Sequence, residues 1–121
     1  MAEDRSRKMA QLAYHALEDK KAVDITVIDI EKVSVVADYF IIASGENHSQ
    51  VQAMADNVEE KLGREGFLPK SMEGYHNANW VLLDFGDLVV HIFDRENRLF
   101  YDLERIWRDG RKTTIEELEK D

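Results

Sequence analysis

Met9, Leu12, Ala13, Ala16 and Leu17 recur three and four positions apart, which lines one face of a helix and predicts one over residues 4–20. The short β-branched run Ile25-Thr26-Val27-Ile28-Asp29-Ile30 reads as a strand. Tyr39-Phe40-Ile41-Ile42-Ala43-Ser44 is continuously apolar and stops at Gly45, as expected of a strand covered on both faces in the middle of an α/β sheet. Asn47 then caps a second helix, with Gln50 reaching back from its third position and Val51, Met54, Ala55, Val58 and Leu62 as the buried stripe. Gly63 and Gly66 offer stops, and Pro69 lies beyond the helix.

Residues 67–79 lack periodicity apart from a candidate edge strand near Leu68 to Met72. Trp80-Val81-Leu82-Leu83-Asp84-Phe85 and Leu88-Val89-Val90-His91-Ile92-Phe93 flank Gly86-Asp87, the pattern of a tight hairpin. Asp94 is a candidate cap for a last helix with Leu99, Phe100, Leu103, Ile106 and Trp107 on its apolar side. A helix between strands requires parallel pairing and the hairpin requires antiparallel pairing, so the fold class is α/β with a mixed β-sheet flanked by helices. Residues 1–110 form a single domain. Residues 111–121 read as an acidic C-terminal tail with only a weak helical pattern after Thr113 or Thr114, and mobility is one reading of it.

Charge narrows the list of partners. The chain of 121 residues carries a formal charge of −9, with residues 1–24 neutral and the acidic excess spread over the rest. A phosphate backbone repels such a surface, so no direct nucleic-acid recognition is expected, whereas a basic protein patch complements it. No apolar stretch is long enough for a membrane span, and no secretory or transit segment stands at the N-terminus. Cysteine is absent, which removes disulfides and thiolate sites and agrees with a cytoplasmic location.

Candidate chemistry is sparse. Asp84, Asp87 and His91 could hold a metal only if they converged, and alternation along strands works against that. Ser44-Gly45 after a buried strand is similar to the turn that opens a nucleotidyltransferase site. However, no Asp-x-Asp pair accompanies it, and Glu46 stands where a phosphate would sit. His15, His48, His76 and His91 show no zinc spacing. No catalytic residue, metal site or cofactor is assigned. Trp80, opening a strand after the polar stretch Tyr75-His76-Asn77-Ala78-Asn79, is the leading surface anchor; Trp107 fits a core position.

The runs Asp38–Gly45, Glu73-Gly74, Trp80–Phe93 and Tyr101-Asp102-Leu103-Glu104-Arg105-Ile106-Trp107 together resemble the ribosomal silencing factor (Iojap-related) family over roughly residues 6–108. The resemblance implies a degenerate nucleotidyltransferase-like fold without its catalytic residues. It also implies a translational repressor that binds the fourteenth protein of the large ribosomal subunit and blocks small-subunit joining. Free copies would pair as homodimers. Carried over by position, the partner-binding residues are Trp80, Asp84, Asp87, His91, Tyr101 and Glu104. Asn79 departs from the acidic or small residue commoner in the family. A ribosome assembly factor at the same site and a metal-dependent nucleotidyltransferase using Asp84 and Asp87 are the alternatives.

Overall fold

The computed structural model describes residues 4–32, 34–35, 37–96 and 110–120. Helix α1 (Asp4–Asp19) leads into strand β1 (Val23–Asp29) and strand β2 (Tyr39–Gly45), followed by helix α2 (His48–Arg64). Strands β3 (Ser71–Glu73), β4 (Trp80–Asp84) and β5 (Leu88–Asp94) come next, then β6 (Arg111–Thr113) and the short helix α3 (Ile115–Leu118). The last helix expected around Leu99 to Trp107, with Tyr101 and Glu104 on it, lies outside the described residues.

The six strands form one sheet in the order β3-β4-β5-β2-β1-β6. β2 and β5 run parallel at its centre, Ile41 opposite Val90 and Ile42 opposite His91, and every other neighbouring pair is antiparallel. The mixed sheet is therefore as the element order requires. α2 begins where expected because Asn47, in an extended conformation, accepts the Gln50 N–H at 2.8 Å, while the Gln50 side chain accepts the Glu46 N–H at 2.6 Å. Gly45 lets this helix close on the strand end: a Cβ there would stand 2.9 Å from Val51 Cγ2.

Alternation along the strands divides the buried residues between two faces. On the first, Val27, Ile41, Ala43, Val81, Leu83, Leu88, Val90 and Ile92 meet Met9, Ala13 and Leu17 of α1 and Val51, Met54, Val58 and Leu62 of α2. The buried Asn57 amide donates to Ala16 O at 2.8 Å and pins the two helices together. On the second face Ile28, Ile30, Ala37, Ile42, Val89 and Phe93 cluster, with half-buried Phe40, Trp80 and Leu82 against them. The three described helices α1, α2 and α3 all pack on the first face.

Residues 110–120, read from the sequence as part of an acidic tail open to mobility, join the sheet and the core. β6 pairs with β1 at the sheet edge, Val27 opposite Thr113, and Leu118 is 2% exposed in the core of the first face. Thr114 caps α3 by accepting the Glu117 N–H at 3.1 Å. Its C-terminal carbonyls, which a helix leaves unpaired, are taken by α1: Arg7 Nε donates to Leu118 O at 3.0 Å, Arg7 Nη2 to Glu117 O at 2.9 Å, and the Gln11 amide also to Leu118 O. Acidity in the sequence suggested a solvated tail, but one buried leucine and a guanidinium from the other end of the chain hold it down. Leu118→Ala should therefore lower unfolding stability by about 2–3 kcal/mol in urea titration, the usual cost of a truncated core leucine. An unchanged midpoint would mean that the segment does not dock.

Candidate interaction face around Trp80

Trp80 enters β4 from a loop with little freedom. Gly74 has φ +80°, and a Cβ on it would lie 2.1 Å from the Trp80 carbonyl oxygen, so the loop closes on the strand only because residue 74 has no side chain. Ala78, fully buried, takes φ +56° and donates its N–H to Gly74 O at 2.9 Å. An alanine in this left-handed region costs about 1 kcal/mol, which the surrounding bonds offset. Among them, Gln52 donates to Tyr75 O at 2.9 Å, Tyr75 Oη donates to Asp56 at 2.9 Å, and Asp94 N donates to Asn79 O at 3.2 Å.

The indole is then set among rings on the second face. Trp80 stands opposite Phe93 across the β4–β5 ladder and stacks on it at 5.3 Å and 26°. His91 sits two residues before Phe93, with its ring 5.9 Å from Trp80 and 4.9 Å from Phe40. Trp80 Nε1–H donates to His91 Nδ1 at 3.0 Å. This bond puts the imidazole proton on Nε2, which is buried and has no partner among the described residues.

The residues carried over as partner-binding have divergent roles in this geometry. Trp80 is half-buried. Asp84, also half-buried, accepts the Gly86 N–H at 2.8 Å and so braces the hairpin turn, where Gly86 has φ +90°. Asp87 is half-buried at the turn, and its carbonyl accepts the N–H groups of Asp38 and Tyr39, joining the hairpin to the start of β2. His91 is 4% exposed on a strand whose residues are all buried, and its ring packs among those of Phe40, Trp80 and Phe93. Tyr101 and Glu104 lie outside the described residues. Trp80 is at one end of β4 and Asp84 at the other, roughly 13 Å apart at about 3.3 Å per residue, so the motif does not form one cluster. Among the described residues no three acids or histidines gather as a metal site.

A cleft of about 520 Å³ opens at the C-terminal ends of the parallel strands, where α/β sheets commonly take ligands. It is lined by Glu46, Asn47, His48, Asp94, Arg95 and Glu96. Arg95 is held by Glu46 at 3.2 Å, and His48 Nε2 lies 3.2 Å from the Asp94 carboxylate. With three carboxylates on its walls and Arg95 already paired with Glu46, this cleft repels a phosphate. The His48–Asp94 pair escaped the sequence reading, since residues 46 apart carry no spacing signal. The pairing of Trp80 with His91 and Phe93 was legible in principle, because positions 91 and 93 alternate onto one face.

Burial pushes His91 down to about 4 from its ordinary 6.5. A depressed histidine contributes stability that is complete above the unfolded value, near 6.5, and is lost as pH falls through that value toward the folded one. The full effect is about 3 kcal/mol. His15 has the opposite sign: its hydrogen bond to Glu119, then that to Glu18, raises its pKa, so its contribution fades as pH rises. Comparing wild type with His91→Leu removes that common background. Urea titrations at about pH 7 and pH 4.5 should show a smaller acid-induced loss in His91→Leu than in wild type. Equal losses would show that His91 is not held neutral by the fold.

The whole chain has known relatives. The family profile described as "Ribosomal silencing factor during starvation" matches residues 3–121. A protein of Bacillus subtilis named ribosomal silencing factor RsfS is 43% identical over 104 residues, covering 86% of this chain and 88% of that one. The chloroplastic protein Iojap of Zea mays is 34% identical over 101 residues, covering 84% of this chain and 43% of that longer one. A crystal structure of a Chromobacterium violaceum protein superposes with a TM-score of 0.82 at 37% identity, covering 88% of each chain. A second, from Bacillus halodurans, gives 0.76 at 39% identity, covering 83% of this chain and 93% of that one. With the mixed sheet, the Trp80 face and a family match of this extent together, the chain belongs to the ribosomal silencing factor (RsfS) family.

Proposed function

We propose that the protein represses translation in the cytoplasm by binding the large ribosomal subunit through its fourteenth protein and occupying space the small subunit needs. The observation that carries this reading is the indole of Trp80, half-buried and braced by Phe93 and His91, in a chain of net charge −9 whose family is defined by ribosome silencing. A tryptophan set in a fixed orientation supplies a large contact area at little entropic cost, which is why the residue type recurs at binding hot spots. The acidic balance steers the chain toward a basic ribosomal protein and away from bare RNA.

Repression of this kind requires no bond to be made or broken. Occupancy alone excludes the competing subunit, and an interface of ordinary size with a few anchors is sufficient. The described part of the fold fits that role: the cleft at the strand ends is acidic and the braced aromatic cluster lies elsewhere. Asp84 and Asp87 support it indirectly, by holding the hairpin that carries β4 and β5. Tyr101 and Glu104 complete the proposed contact set.

Co-sedimentation with isolated large subunits tests the proposal. Wild type should pellet with them at low salt, with binding weakening as ionic strength rises. Trp80→Ala should weaken binding by about 30-fold or more, the scale of a lost hot spot of at least 2 kcal/mol, and Glu104→Lys should weaken it further. Adding wild type should also prevent small subunits from joining. Wild type that stays in the supernatant, or that pellets without hindering joining, would overturn the reading.

A further inference from the structure

We infer that His91 is a positioning residue for the partner-facing indole: from inside the sheet its Nδ1 accepts the Trp80 N–H and holds that ring in the orientation in which it meets the ribosome. The inference rests on the proposed docking through Trp80 and adds a role for a residue the partner does not reach. Every residue of β5 is buried, and apart from His91 and the terminal Asp94 its positions are filled by Leu88, Val89, Val90, Ile92 and Phe93. An aliphatic residue at position 91 would satisfy the same packing. Histidine there has a cost, because its Nε2 is left buried without a partner among the described residues. The bond from Trp80 at 3.0 Å is the interaction it makes in return.

The geometry makes that bond directional. His91 faces Leu82 across the ladder, so Trp80 is its diagonal neighbour, with the two ring centroids 5.9 Å apart. Stacking on Phe93 limits tilt of the indole, and the His91–Phe93 rings are themselves parallel within 12°. Stacking alone still permits the indole to flip about its Cβ–Cγ bond, which keeps the plane and carries Nε1 to the other side. The N–H bond removes that freedom, and the Gly74–Ala78 loop fixes the backbone from which the ring projects. A side chain ordered before binding loses less freedom when it binds.

A four-protein comparison tests this. His91→Leu removes the acceptor and keeps an apolar, strand-compatible side chain. His91→Asn keeps an oxygen near the position of Nδ1. Trp80→Phe removes the donor, and the fourth protein carries both Trp80→Phe and His91→Leu. The indole N–H of Trp80, assigned by its loss in Trp80→Phe, should exchange with solvent slowly in wild type and His91→Asn and at least about tenfold faster in His91→Leu. Large-subunit affinity should fall about tenfold in His91→Leu, the scale of one neutral hydrogen bond, and recover in His91→Asn. In the Trp80→Phe background, His91→Leu should add little, because the bond it removes is already gone.

Wild-type affinity in His91→Leu with a freely exchanging indole would overturn the inference and leave docking through Trp80 intact. Independent, additive losses would do the same. Should His91→Leu fail to fold, wild-type affinity in Trp80→Phe would overturn it. Wild type that does not bind large subunits at all would bring down the proposed function first, and this inference with it.

Discussion

Strands β2 and β5 lie side by side and parallel, and apart from the half-buried Phe40 every residue in both is buried on one face of the sheet or the other. Parallel neighbours cannot be joined by a tight turn, so the chain must travel between them, and it uses that path to build α2, β3 and β4. Because both faces of the central pair exclude water, each must be covered, and each has a distinct chemistry. The first face is aliphatic and receives α1 and α2. The second is aromatic toward the β4 side, where Phe40, His91, Phe93 and Trp80 lie side by side. From this constraint come both the stability of the domain and the placement of its tryptophan.

A buried polar atom in such a sheet must either find a partner or destabilise the fold. The chain meets that demand mostly with local devices. Asn47 and Thr114 cap helices, Asp84 braces the hairpin, and Asn57 ties α2 to α1. His91 is half an exception, with Nδ1 satisfied by Trp80 and Nε2 without a partner among the described residues. Among the described residues, a buried nitrogen without a partner thus belongs to the ring that accepts the indole N–H. Cost and function coincide at one residue, as happens where a fold spends stability on orientation.

The acidic cleft at the end of the parallel pair shows how an architecture suited to ligands can present the wrong charges for one. Strand ends and the N-terminus of α2 meet there, an arrangement that favours anions elsewhere. Here Glu46 and Asp94 stand at the mouth, Glu46 paired with Arg95 and Asp94 beside His48. The local field favours internal pairing over capture of a phosphate, which leaves the aromatic face as the better site for the chain to meet something else.

Local pattern alone determined most of the elements. Helical spacing from Met9 to Leu17 and from Val51 to Leu62, the apolar run at Tyr39, and Gly86-Asp87 between two strands each encode short-range geometry, and each appears in the structure. Motif residues pointed to Trp80 and to the family as well. Tertiary structure decided what those residues do. That Trp80 reaches His91 diagonally depends on strand register, which no single segment carries. That His91 faces inward depends on β5 being central. That residues 110–120 dock depends on Arg7 and Gln11, more than a hundred positions away, finding their carbonyls. Periodicity records which side of an element avoids water; it holds no information about which distant group will arrive to meet it.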